Sequence, residues 1–414
     1  MLNRIIRILG AALCSTLLLA GCCVKLDNPA PQRAISFSAG PSLLQDGATK
    51  TGTLKTGNTF SAGDDFVAWA WHDAGNQHFS FGTTLPVTLG NNGLWDYAPH
   101  QFWNWQEGED YYDFLAVYPA DADIVHPTAT LANPNLKATV TYVPTTPPQY
   151  DLMVAGLRRT NKSMDPVSLV FSHALSAVAV EVKNARGSNQ GGNPLTITLV
   201  SVKFLNLIAS SSITATFDGV NLNYTRSGDR NTTSAVLGPE IPGGTTLAPG
   251  YGFPSKTIIT RLTSWLQTNA NLADPAALAD AVYEDEVWNM SASDRLAWIT
   301  DENTGLTGEE INALAEQIYR EDLWDLMIPQ DLSPVANIPA LEIVYHKGDE
   351  NVTFRETLPL NEIKNQATNQ PITAWNPGIK YHYEIEMQIG VGIVVTVTTT
   401  PWEVVEAETP GLMI

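Results

Sequence analysis

The sequence predicts a mainly β chain carrying one helical insertion, and three observations predict it. From Ala34 onward the dominant apolar period is two. The clearest run is Lys380 to Ile389, where Tyr381, Tyr383, Ile385, Met387 and Ile389 alternate with Lys380, His382, Glu384, Glu386 and Gln388. Between about residues 256 and 327 the period becomes that of a helix.

Taken in order, Leu26 to Arg33 is polar and Pro-rich and reads as a tether. Ala34 to Ala39 predicts a short strand. Asp65 to His72 alternates, with Val67, Trp69 and Trp71 on one side. Tyr111 to Tyr118, Lys137 to Val143 and Leu152 to Leu157 are strand-like, and Val167 to Val182 fits two strands or one bent one. Gly187 to Pro194 is a loop or linker composition. Strands resume at Leu195 to Leu205, Ile213 to Phe217, Leu341 to Tyr345 and Val352 to Thr357. Lys380 to Ile389 and Ile393 to Thr400 then form a hairpin, its first strand expected to have one wet face.

Inside the insertion, Ile258, Leu262, Trp265 and Leu266 share a helical face. Asp274-Pro275 is an N-cap followed by Pro at the first helical position. Ser291 to Asp294 is a weaker cap, and Thr307-Gly308-Glu309-Glu310 has capping-box spacing. Three or four helices are predicted. Between Lys256 and Met327, fourteen Asp and Glu stand against Arg261, Arg295 and Arg320.

The first residues predict export. Arg4 and Arg7 precede an apolar run from Ile8 to Ala20, shorter than the ~20 residues of a permanent span. Leu19-Ala20-Gly21-Cys22 then resembles the bacterial lipobox, so residues 1–21 read as a lipoprotein signal peptide and Cys22 as the lipidated first residue. Removing Arg4 and Arg7 takes the formal charge from -20 to -22. Such acidity argues against nucleic acid, whose phosphates need Lys and Arg. With Cys14 removed and Cys22 lipidated, Cys23 is left without a disulfide partner, so the cores must hold the fold.

Signatures of chemistry are missing. There is no Gly-x-Ser-x-Gly elbow and no His-Glu-x-x-His pair, and no His pairs with a Cys at metal-ligand spacing. No metal and no cofactor are expected, and His173, within an apolar strand, reads as structural. Glu107 to Asp110 and Asp301 to Gly305 read as solvated loop charge; the second fails as an EF-hand loop because position six is Leu306. Trp69, Trp71, Trp95, Trp103 and Trp105 fall in a short stretch. Trp69, Trp71, Trp103 and Trp105 are candidates for stacking on sugars, but a sandwich core is the stronger reading, since Trp carries a large apolar body.

Several segments, in order, resemble the fimbrillin family of type V pilins and accessory subunits. They are Gly63-Asp64-Asp65-Phe66-Val67, Asp113 to Pro119, Asp151 to Ala155, Leu169 to Leu175, Met327 to Gln330, Trp375 to Tyr383 and Pro401-Trp402. The resemblance implies two tandem transthyretin-like Greek-key β-sandwich domains, placed here at 34–190 and 191–414 after a tether at 22–33. It implies a non-enzymatic structural or adhesive subunit of cell-surface fimbriae, tied to the outer membrane by its lipid and partnered with other subunits by donor-strand exchange. A host or bacterial surface ligand is a further expected partner. Maturation in the family cuts after Arg, between the first two strands. Here Arg33 precedes the first strand, and only Lys50 and Lys55 follow it. These departures, with the helical insertion, point to a tip, anchor or accessory subunit. The competing class is a non-polymerising surface lipoprotein that binds glycan or protein.

Overall fold

The computed structural model describes residues 33–38, 60–72, 77–81, 86–105, 111–120, 128–132, 135–142, 151–160, 162–184, 196–208, 210–228, 230, 237–241, 245–247, 252–253, 255–270, 272–285, 287, 290, 292–302, 305–318, 324–348, 352–388 and 392–401. The chain is mainly β, with four α-helices among the described residues.

A seven-stranded sheet runs in the order Ser172–His173, Met153–Arg159, Tyr112–Tyr118, Asp65–His72, Val87–Leu89 and Trp95–Asp96, with Gln77–Phe81 also paired to Asp65–His72. Strand alternation sends Phe66, Ala68 and Ala70 to one core and Val67, Trp69 and Trp71 to another. This sheet is therefore buried on both faces, and Tyr112–Tyr118 is buried at every position.

On the Trp69 side lies a four-stranded sheet ordered Leu222–Ser227, Ser211–Phe217, Asn135–Tyr142 and Thr128–Ala132. Ile213, Ala215 and Phe217 alternate inward from it. Gly156 is needed where the two sheets meet, because a Cβ there would lie 2.4 Å from the Phe217 ring. Gly156→Ala is expected to cost about 1–3 kcal/mol by overpacking, read from chemical denaturation.

The second sandwich packs a six-stranded sheet against a five-stranded one. The first has the order Gly252–Phe253, Ser176–Asn184, Ile379–Gln388, Gly392–Pro401 and Lys364–Asn365, with Asp325–Met327 also paired to Ser176–Asn184. The other is built on Ile197–Leu205 and Ala340–Lys347, flanked by Leu237–Ile241, Thr245–Leu247 and Phe354–Pro359. Val178, Val180 and Val182 meet Leu199, Phe204, Ile343, Tyr383 and Ile385 in its core. The hairpin forms as the pattern predicts, in register from Ile379↔Pro401 to Gln388↔Gly392.

Four pairings among the described residues cross residue 190. Ser176–Asn184 pairs in parallel with Ile379–Gln388 and also pairs with Gly252–Phe253 and Asp325–Met327, and Ser211–Phe217 pairs with Asn135–Tyr142. The apolar run Val167 to Val182 is three strands, not one or two. Val167–Ser168 pairs with Phe37–Ser38, Ser172–His173 joins the seven-stranded sheet, and Ser176–Asn184 joins the second sandwich. The Gly187 to Pro194 segment lies outside the described residues.

The helices Ser255–Asn269, Pro275–Glu284, Ala292–Asp301 and Gly308–Ile318 sit between two short strands that both pair with Ser176–Asn184. The caps at Asp274 and Thr307 form as read, while Ser291 lies outside the described residues: Ala277 N–H donates to Asp274 Oδ1 at 3.1 Å. Thr307 and Glu310 cap each other reciprocally, with Glu310 N–H donating to Thr307 Oγ1 at 3.3 Å and Thr307 N–H to Glu310 Oε2 at 2.7 Å. Leu262, Leu266, Ala279, Val282 and Leu314 bury one side of these helices.

This insertion corrects the expectation of a wet face on Ile379–Gln388. Lys380 and His382 are buried, with the Lys380 ammonium 5.7 Å from the centre of the Trp324 ring. Tyr283, from the second helix, donates to buried Glu181 of the sheet. Burial holds the His382 imidazole neutral, its pKa down at about 3, with the Lys183 charge adding to the effect.

Candidate functional site: a strand seated in an aromatic groove

The sequence Arg33-Ala34-Ile35-Ser36-Phe37-Ser38 alternates in size, so an extended backbone turns Ile35 and Phe37 to one side. Both are buried. The backbone is held along both edges. On one, Ile35 N–H donates to Gln101 O at 2.8 Å and Trp103 N–H to Arg33 O at 3.0 Å, beside an antiparallel Ala34↔Phe102 bridge. On the other, Val167 N–H donates to Ser36 O at 2.7 Å and Leu169 N–H to Ser38 O at 3.0 Å, in a parallel pairing. The segment is thus seated between two walls, Gln101 to Trp103 and Val167 to Leu169.

The floor of this groove is aromatic. The Phe37 ring meets Phe66 at 5.5 Å, Tyr97 at 5.8 Å and Phe114 at 6.4 Å between centroids, all edge-on. Such geometry adds to simple area burial because ring edges and faces carry opposite partial charge. The Tyr97 hydroxyl donates to Ile35 O at 2.7 Å and accepts from Gln101 N–H at 3.1 Å. Burial raises the Tyr97 phenol pKa and keeps this donor protonated. Each inward side chain contributes roughly 1.5–3 kcal/mol, and each backbone bond about 0.5–1.5 kcal/mol. Together these are comparable with the whole stability of a domain, about 5–15 kcal/mol.

Of the candidate processing residues, Arg33 is described. Its side chain is exposed and lies 3.7 Å from Asp165, itself exposed, so the pair contributes little. Lys50, Lys55 and the lipidation candidate Cys22 lie outside the described residues, as does Glu107 to Asp110. The four tryptophans divide. Trp69 and Trp71 are buried in the core shared with the four-stranded sheet and offer no face to a sugar. Trp103 is buried too, stacked at 5.8 Å on half-buried Trp105. Trp103 serves instead as a groove wall.

The segments that carry the family resemblance do structural work. Gly63 takes φ +93° in a turn where Asp64 Oδ2 accepts from Ser61 N–H at 2.6 Å. His173 Nδ1 lies 2.9 Å from Asp151 Oδ1, both fully buried. Trp375 Nε1–H donates to Tyr383 at 2.8 Å. Tyr97 and the Gln101 to Trp103 wall escape sequence reading, because that wall is a single bridge and has no period to detect. Among the described residues no group of three or more His, Cys, Asp or Glu is placed to hold a metal, and no helix is long and apolar enough to cross a membrane.

One buried carboxyl supplies a pH dependence. Asp325, paired opposite Val178 where the insertion returns to the sheet, has its pKa raised to about 6 by desolvation. The native state therefore holds this proton more tightly than the unfolded chain. Stability should be lost as pH rises from the ordinary carboxylate range through about 6. Asp325→Asn is expected to gain about 2–3 kcal/mol over the parent at pH 8 and little at pH 4, measured by denaturation at both.

These features define a mainly β protein whose first described strand lies between two walls over an aromatic floor. The sequence model of the fimbrillin-like family matches residues 49–263, just over half of the chain. The chain belongs to the fimbrillin-like family. No curated protein matches it. Among solved structures it is similar to a candidate cell adhesion protein of Bacteroides uniformis, at 17% identity, covering 90% of this chain and 99% of that one with TM-score 0.39. A second, from Bacteroides eggerthii, shares 12% identity over 91% and 97% of the two chains, with TM-score 0.38. The tip fimbrial protein Mfa3 of Porphyromonas gingivalis shares 7% over 83% and 95%, with TM-score 0.32.

Proposed function

We propose that this chain is a non-enzymatic structural or adhesive subunit of cell-surface fimbriae, in a tip, anchor or accessory position, assembled by strand exchange. The observation that carries the reading is the first strand, hydrogen-bonded on both edges with Ile35 and Phe37 in the core. Emptying that groove exposes two rows of backbone groups and an aromatic floor, which another extended chain can cover by β-augmentation. A cut after Lys50 or Lys55 would separate the strand from the body, whereas a cut after Arg33 would leave it in place. Partners are then other fimbrial subunits and, for a tip or accessory role, a host or bacterial surface ligand. No cofactor, metal or nucleic acid enters this reading.

The N-terminus of the protein taken from cells tests it. A mature chain beginning between about residues 39 and 60, together with fibres in negative stain, is the expected result. A chain still beginning at lipidated Cys22, with no fibres, would replace it with the non-polymerising lipoprotein that binds glycan or protein. The outer-membrane anchor has its own test: Cys22→Ala is expected to move the protein from the membrane fraction to the soluble fraction. Unchanged membrane retention would remove the lipid from the account.

A further inference from the structure

We infer that the groove selects its incoming strand by one aromatic position. It takes an extended segment with a large aliphatic residue at one site and an aromatic two residues later, running parallel to Val167–Ser168. This inference rests on the strand-exchange reading and names the chemistry of the partner. The reasoning starts from what each contact can read. The backbone bonds from Trp103, Val167 and Leu169 and the Tyr97 hydroxyl all touch peptide carbonyls, so they hold any sequence and fix only direction and register. Sequence is read by side chains that point inward.

Two of these are apolar, beside Ser38, which is also buried with its Oγ 2.9 Å from Ser168 Oγ. Ile35 and Phe37 are buried, whereas Ala34 before them and Ser36 between them are partly exposed. The two inward positions differ in their demands. The Phe37 ring is met edge-on by Phe66, Tyr97 and Phe114, three rigid rings on three different segments of the seven-stranded sheet side. An aliphatic side chain in that socket forfeits the ring-edge contacts, and a small one leaves a cavity between walls that cannot collapse together. Direction is fixed independently. The seated strand is antiparallel to Phe102 and parallel to Val167–Ser168, and a reversed chain would misplace the carbonyl that Tyr97 caps.

The test uses the full mature chain with a specific protease site inserted between Lys50 and Lys55, cut after folding. The nicked protein is incubated with excess fluorescent peptide covering residues 32–38, and uptake is followed by anisotropy and intact mass. Matched peptides carry Phe37→Ala, Phe37→Leu, Ile35→Val or the reversed sequence. The native peptide is expected to displace the resident fragment and Ile35→Val to follow it closely. Phe37→Ala is expected to bind about 100-fold more weakly, with Phe37→Leu between the two and the reversed peptide failing. Equal uptake of the native, Leu and Ala peptides would overturn the selectivity while leaving strand exchange standing. Uptake of the reversed peptide would overturn the direction. If no peptide enters, whether the resident fragment stays or leaves, both this inference and the strand-exchange reading fail.

Discussion

Phe37→Ala is expected to destabilise the uncut protein by about 3–5 kcal/mol, the cost of removing a fully packed ring from a core that cannot close behind it. The three rings around Phe37 belong to separate parts of the chain, at residues 66, 97 and 114, and each is fixed by other aromatic contacts. Phe66, for example, also packs on Trp95 at 4.8 Å and Phe171 at 5.4 Å. Collapse is therefore blocked, and the cavity term adds to the lost transfer energy. Phe37→Leu keeps most of the volume and should cost roughly half as much. Ser36→Ala, on the partly exposed face, should stay within about 0.5 kcal/mol of the parent. Urea unfolding of the three variants reads the series. A Phe37→Ala loss no larger than that of Ser36→Ala would mean that the first strand is loosely seated, and the groove would lose its claim to be a functional site.

That series also separates what the sequence shows from what only the fold shows. Alternation alone places Ile35 and Phe37 together, and it places Tyr381, Tyr383, Ile385 and Met387 on the buried side of their strand. The caps at Asp274 and Thr307 are equally legible, because capping is chemistry between residues three apart. Partners distant in sequence are a different matter. Nothing local says that the run from Val167 onward serves the first strand, then the seven-stranded sheet, then a parallel partner at Ile379–Gln388. Periodicity reports which face is apolar and is silent on what covers it. Lys380 and His382 fail as a wet face for that reason. They are polar by composition, but the helical insertion returns over them and brings Trp324. The groove was half legible. Its strand follows from a six-residue pattern, whereas its floor and walls are assembled by long-range pairings that no single segment encodes.

Arg158→Met is expected to cost about 3 kcal/mol at neutral pH, because it removes the guanidinium from a buried carboxylate. Asp113 lies within Tyr112–Tyr118, the strand buried at every position, and is 1% exposed. Arg158 stands opposite it in register and donates twice, from Nε to Oδ1 and from Nη2 to Oδ2, each at 2.6 Å. The planar fork matches the carboxylate, and its carbon lies 3.9 Å from the centre of the Tyr111 ring. Asp113 raises the Arg158 pKa through these bonds, so the guanidinium stays charged across the accessible range. Desolvating the two charges offsets much of their attraction, and the pair as a whole adds little net stability. Removing one partner is what costs. The loss in Arg158→Met should shrink as pH falls into the carboxylate range, where a proton can neutralise Asp113. The double variant Asp113→Leu/Arg158→Met, with neither charge present, should recover most of the loss at pH 7. Gly219 extends the same argument to the neighbouring turn. It takes φ +93°, and a Cβ there would fall 2.0 Å from the Arg158 guanidinium carbon. Gly219→Ala should therefore be tolerated better in the Arg158→Met background than in the parent. The sum of the two single losses should exceed the loss in the double variant by about 1 kcal/mol. Additive losses would show that the turn and the ion pair are independent. Coupled losses would tie the turn that joins two strands of the four-stranded sheet to a carboxylate in the seven-stranded one.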